Sequence, residues 1–176
     1  MVKCTSNWRM FKMEKLRVHL PRWEELPNLD LYLDQVVTVM EEYLEFFVTD
    51  KEDKIITKTM INNYVKHGVI KSPENKKYSK VHLAKLVVIC ILKQLYSINE
   101  ICNLINLALD GEEIKDSYNK FCEELENAID VVFDKKEMKK EELTDKEYIM
   151  RTVVLSFSNK LYVEKNFLNK ENNNEK

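Results

Sequence analysis

Residues 56–104 read ITKTMINNYVKHGVIKSPENKKYSKVHLAKLVVICILKQLYSINEICNL. Thr57 is placed to cap a short helix that Gly68 stops. Within it Met60, Ile61, Tyr64 and Val65 fall on one face, which leaves Lys58, Thr59, Asn62, Asn63 and Lys66 on the other. Val69 and Ile70 predict a buried edge strand leading into Lys71-Ser72-Pro73-Glu74-Asn75-Lys76-Lys77-Tyr78, a basic, turn-rich hairpin. Ser79 then caps a long helix whose Val81, Leu83, Leu86, Val87, Cys90, Ile91 and Leu95 are apolar over too wide an arc for a surface helix, so it is expected at the centre of the core. Ser97-Ile98-Asn99-Glu100 has the form of a capping box that opens a further helix running to Leu109.

Charge follows the same segment. From Lys54 to Lys93 there are nine lysines and one acid, Glu74, a balance of +8. The rest of the chain holds 19 basic and 29 acidic residues, a balance of −10, and the whole chain stands at −2. A nearly neutral protein has thus gathered its positive charge on one stretch, the electrostatic footprint expected for a polyanionic partner.

Upstream, Leu20-Pro21 and Leu26-Pro27 bias the lead-in toward extended geometry. A helix is predicted from about Asp30 to Phe47, with Leu33, Val36, Val37, Met40, Tyr43, Leu44 and Phe47 recurring at three and four. Downstream, Tyr118, Phe121, Cys122, Leu125, Ile129 and Val132 give the helix Lys115–Phe133 a near-heptad seam suited to a partner helix. After a charged linker, Asp134 to Glu142, a second capping box at Thr144 and Glu147 opens a last helix to about Phe167, with Ile149, Val153, Val154, Leu155, Phe157, Leu161 and Tyr162 over a wide arc. Residues 1–20 are expected to form a loosely ordered arm, and the Asn, Glu and Lys tail from Asn169 to be disordered.

Several classes are excluded. Two glycines and three prolines in 176 residues are too few turn signals for a β-sandwich. Gly68 and Gly111, far apart, cannot build a Gly-rich phosphate cradle. The three histidines and four cysteines show no metal-ligand or redox spacing, and Cys90 and Cys122 read as small core hydrophobes. No catalysis, cofactor or metal is expected. The longest apolar run, Leu86 to Leu92, is far too short to cross a membrane, so a soluble, cytoplasmic protein is the expectation.

A helix can enter the major groove of DNA when its exposed face is small, polar and free of acid. Thr59, Asn62 and Asn63 offer donors and acceptors to base edges, Asn suiting adenine in particular. Lys58, Lys66, Lys71, Lys76 and Lys77 suit phosphates, and Tyr78 either adds a phosphate hydrogen bond or closes the turn by packing. The order of elements is that of a winged helix–turn–helix. A helical protein-interaction module that keeps the fold without binding DNA stands as the alternative.

Residues 59–64 (TMINNY), Lys66-His67-Gly68-Val69-Ile70, Tyr78-Ser79 and Ile98-Asn99-Glu100-Ile101 resemble the winged helix–turn–helix of MerR-type regulators. More closely, LPRWEELPNLDLYLDQV with ITKTMINNYVKHGVI and KKYSKVHL is similar to domain-of-unknown-function family 1836, a family of Gram-positive bacteria, over about Leu20 to Ile105. The resemblance implies an all-α protein with a small β wing, a MerR-like winged helix–turn–helix plus C-terminal helices. It implies a bacterial, cytoplasmic regulator of transcription that binds double-stranded DNA as a homodimer. By position, Thr59, Asn62, Asn63 and Tyr64 fall on the recognition helix, and Lys76, Lys77 and Tyr78 on the wing. Asn62 and Asn63 stand where MerR proteins have Arg and Tyr, and the metal-binding cysteines of MerR have no counterpart. The expected organisation is an arm at 1–20, a DNA-binding domain at 21–110, a helical segment at 111–168 that completes the core or dimerises, and a tail at 169–176.

Overall fold

A computed structural model describes residues 18–48, 54–138 and 142–168. Most of the arm expected at 1–20, the tail from 169, Cys4, residues 49–53 and part of the charged linker Asp134 to Glu142 lie outside the described residues. Among those described, the fold is mostly helical with one two-stranded antiparallel sheet.

The elements in chain order are β1 (Leu31–Tyr32), α1 (Leu33–Leu44), α2 (Lys58–Lys66), β2 (Lys77–Tyr78), α3 (Lys80–Leu92), α4 (Ile98–Leu109), α5 (Ile114–Phe133) and α6 (Asp145–Val163). α3 is central, as its wide apolar arc predicts: Leu83, Leu86, Val87, Ile89, Cys90 and Ile91 are fully buried. Both predicted capping boxes form. The Ser97 backbone N–H donates to Glu100 Oε2 at 2.8 Å, and Thr144 N–H donates to Glu147 Oε2 at 2.9 Å. The Glu147 carboxyl is held down at about 2, first by a hydrogen bond from Lys120 and then by the Thr144 cap.

The heptad seam of α5 is satisfied within the chain. α5 and α6 pack along their lengths, and Phe121, Leu125, Ile129, Val154, Phe157 and Leu161 belong to one hydrophobic core with α1 and α3. Phe157 of α6 meets Phe47 edge-on at 5.5 Å between centroids, which ties the last helix to the end of the first. The lead-in is fastened by Glu126 of α5. Its carboxylate takes both terminal nitrogens of Arg22, at 2.7 and 2.5 Å, and the Leu20 N–H at 2.7 Å.

Several boundaries differ from expectation. The first helix starts at Leu33 rather than Asp30, because Leu31 and Tyr32 pair with Tyr78 and Lys77. It also ends at Leu44, and Glu45–Phe47 tighten into a 3₁₀ turn. Val69 and Ile70 are buried but form a bend, not a strand, since the N–H of Val69 returns to the Tyr64 carbonyl at 2.9 Å. α3 stops at Leu92, which leaves Leu95 beyond it and 36% exposed. Val81 and Ile149, both 37% exposed, lie at the edges of their helices' buried arcs rather than within them. No helix among the described residues is long and apolar enough to cross a membrane.

Candidate nucleic-acid interface

α2 forms for local reasons. Thr57 Oγ1 accepts the Met60 N–H at 3.2 Å, satisfying one of the orphan donors of the first turn. At the other end Gly68 takes φ +72°, and the Gly68 N–H returns to the Val65 carbonyl at 3.0 Å. Ile61 and Tyr64, three residues apart, share the inward face. Lys58, Thr59, Asn62, Asn63 and Lys66 are all exposed on the outward one. The helix carries no acidic residue.

That geometry corrects the role given to Tyr64. The residue is 5% exposed, and burial pushes its hydroxyl up to about 12, so it packs rather than contacts.

The basic turn is a two-residue hairpin. Lys77 N–H donates to the Glu74 carbonyl at 2.8 Å, and Asn75 and Lys76 between them sit at φ 49° and 62°. Positive φ at both central residues is the type I′ form, whose twist matches the flanking strands. Lys71 and Lys76 project into solvent. Lys77 is half-buried, its ammonium 5.3 Å from the centroid of the Tyr32 ring. Tyr78 is 3% exposed and meets the His82 ring edge-on at 5.5 Å, so it closes the turn by packing and is not placed to hold a phosphate.

His82 staples this turn to α3. Its Nδ1 accepts the Ser79 N–H at 3.0 Å, and Nε2 lies 3.1 Å from the Lys71 carbonyl oxygen, to which it donates. Burial holds its pKa below the ordinary imidazole value, with the Lys71 hydrogen bond opposing. Ser79 and Lys71, at the two ends of the hairpin, are thereby held to the first turn of the core helix.

α2 and β2 both pack against α1. The α1–α2 connection is residues 45–57, longer than the three- or four-residue turn of a simple helix–turn–helix. A side chain secures α2 instead: the Lys93 ammonium donates to the Ile55 carbonyl and lies 3.8 Å from Met60 Sδ. Burial lowers the pKa of Lys93. Asp34 of α1 forms an ion pair with Lys58, a pair more than half exposed and so weakly held. Lys80 donates to Asn28 Oδ1 at 2.5 Å and lies 5.7 Å from the Trp23 ring centroid.

Three of these features escaped the sequence reading. Tyr32 as a strand residue under Lys77 was masked by the helical period that begins at the next residue, Leu33. The Lys93 anchor has no local signature. The type I′ turn did leave one, since Asn75 is a residue type that tolerates positive φ. Cys90 and Cys122 are buried, and burial pushes both thiols up to about 12, in keeping with core packing rather than nucleophilic chemistry.

The family described as "Domain of unknown function (DUF1836)" matches residues 21–121. Comparison with curated proteins and with solved structures returns no match. The matched span covers more than half of the chain and takes in β1, α1, α2, the basic hairpin, α3, α4 and the start of α5. By that match, the chain belongs to the DUF1836 family.

Proposed function

We propose that this protein is a sequence-specific, double-stranded-DNA-binding regulator of transcription. It would act in the cytoplasm as a homodimer, through a winged helix–turn–helix of the kind found in MerR-type regulators. The observation that carries the reading is the outward face of α2, where Lys58, Thr59, Asn62, Asn63 and Lys66 are exposed together on a helix without acid, next in the chain to a hairpin exposing Lys71 and Lys76. Asn62 and Asn63 supply amides able to pair with an adenine edge, and Thr59 a hydroxyl. Lys58, Lys66, Lys71 and Lys76 supply phosphate contacts, with Lys77 at the hairpin's inner side. A two-fold partner would place the second α2 on the next half-site, one helical turn away.

Selection of genomic fragments by the purified protein at two salt concentrations tests this. The expected result is enrichment of a two-fold-symmetric site, with affinity falling steeply as salt rises. Asn62→Ala should cost about 1–3 kcal/mol on the selected site and little on random DNA. Lys76→Ala should weaken all sequences alike and reduce the salt slope by about one unit. Equal losses on selected and random DNA for Asn62→Ala would remove the base-reading role. No enrichment even at low salt would move the assignment to a helical protein-interaction module, for which the exposed Leu107, Tyr148 and Ile149 provide an apolar surface.

A further inference from the structure

α4 is amphipathic, yet Ile101 is its one buried residue among those described. Its apolar side chains Leu104, Ile105 and Ala108 instead line a cleft whose other walls come from α3, α5 and α6. The opposing surface includes Val88, Phe121 and Met150. A mostly apolar concavity between packed helices, with a few polar groups at its edge, is a usual form of small-molecule site. None of its lining residues belongs to α2 or to the basic hairpin.

The charges at the edge narrow the ligand class. Lys120 is paired with Glu147 at 2.9 Å, and the Glu112 carboxylate accepts from the Ser117 hydroxyl at 3.2 Å. Lys146 is paired with Asp110 at 3.4 Å. Lys85 of α3, half-buried in the wall, has no acidic partner among the described residues. Leu107 and Ile149, the most exposed apolar residues of the lining, are only about one-third exposed, so the cleft's own lining offers no projecting apolar knob to fill the same hole on a second copy. We propose that the cleft binds a free, single-chain amphiphile with an anionic head, its chain among Leu104, Ile105, Phe121 and Met150 and its head group paired with Lys85.

Dodecanoate, below the concentration at which it forms micelles, is a suitable probe for the full chain. Titration calorimetry should show saturable binding, and methyl resonances of Ile105 and Met150 should shift. Dodecan-1-ol, with the same chain and no charge, should bind roughly twofold to fivefold more weakly, the span of a modest ion pair. Lys85→Met should abolish that difference while keeping the binding of the alcohol. Ala108→Phe, which fills the cleft, should abolish binding of both. If that variant fails to fold, as judged by circular dichroism, the methyl shifts of the unmodified protein decide the matter. Absence of dodecanoate binding overturns the proposal, as do shifts confined to other surfaces or equal binding of dodecyltrimethylammonium. Association with phosphatidylglycerol vesicles alone would transfer the site to a membrane surface. A dimer lost in Ala108→Phe, without dodecanoate binding, would assign the cleft to a second copy.

Discussion

His82 and Lys71, eleven residues apart, are joined by a 3.1 Å hydrogen bond from the imidazole Nε2 to the Lys71 carbonyl. The other ring nitrogen accepts the Ser79 N–H, so a single neutral side chain holds both ends of the basic hairpin. Protonation would put a donor on Nδ1 where the Ser79 N–H already points, and would place a charge in a buried site.

The pH dependence follows. His82 titrates below its ordinary value of 6.5 in the folded protein. As pH falls through about 6.5, the unfolded chain takes up a proton that the folded chain resists. Stability from this group is therefore fully present above that pH and declines below it, until the folded pKa is passed. Urea unfolding from about pH 8 to pH 5 should show the decline, and His82→Gln should show less of it than the unmodified protein.

Glu126→Ala should destabilise the fold by about 2 kcal/mol, because it strands the half-buried Arg22 guanidinium and the Leu20 N–H together. Equilibrium denaturation measures this. A loss within a few tenths of a kcal/mol would mean that water replaces the carboxylate at no cost.

Gly68→Ala isolates backbone strain. A Cβ there meets nothing within 4 Å, so the cost comes from φ +72° alone. A loss of about 1 kcal/mol is expected, with unfolding by denaturant as the readout. The termination of α2 depends on this residue, and under the proposed function affinity for all DNA sequences should fall with it.

Phe157→Ala removes the ring that joins α6 to Phe47 at the end of α1. Phe157 is fully buried, and a cost of about 3–5 kcal/mol is expected. Thermal melts should show a single, earlier transition if α6 shares one cooperative core with α1, and two transitions if it does not.

The helices and several of their capped ends were legible because their causes lie within a few residues of one another. Thr57 finds its donor three residues on, Ser97 and Thr144 each find a glutamate at the same distance, Gly68 supplies its own φ, and the apolar arc of α3 announces burial. The polar face of α2 was legible for the same reason, since residues at three and four must share a side. Partners distant in the chain could not be read this way. Tyr32 beneath Lys77, Glu126 on Arg22, and Lys93 on the Ile55 carbonyl depend on packing that brings separate segments together. Tyr64 and Tyr78 show the limit most clearly. A tyrosine in a polar, basic stretch serves equally at a surface or in a core, and the neighbours that bury these two, which include His82 for Tyr78, are set by how α1, α2 and α3 dock. The cleft beneath α4 belongs to the same class. An amphipathic helix specifies that one of its faces seeks cover, whereas how completely the other helices cover it depends on the geometry of their packing.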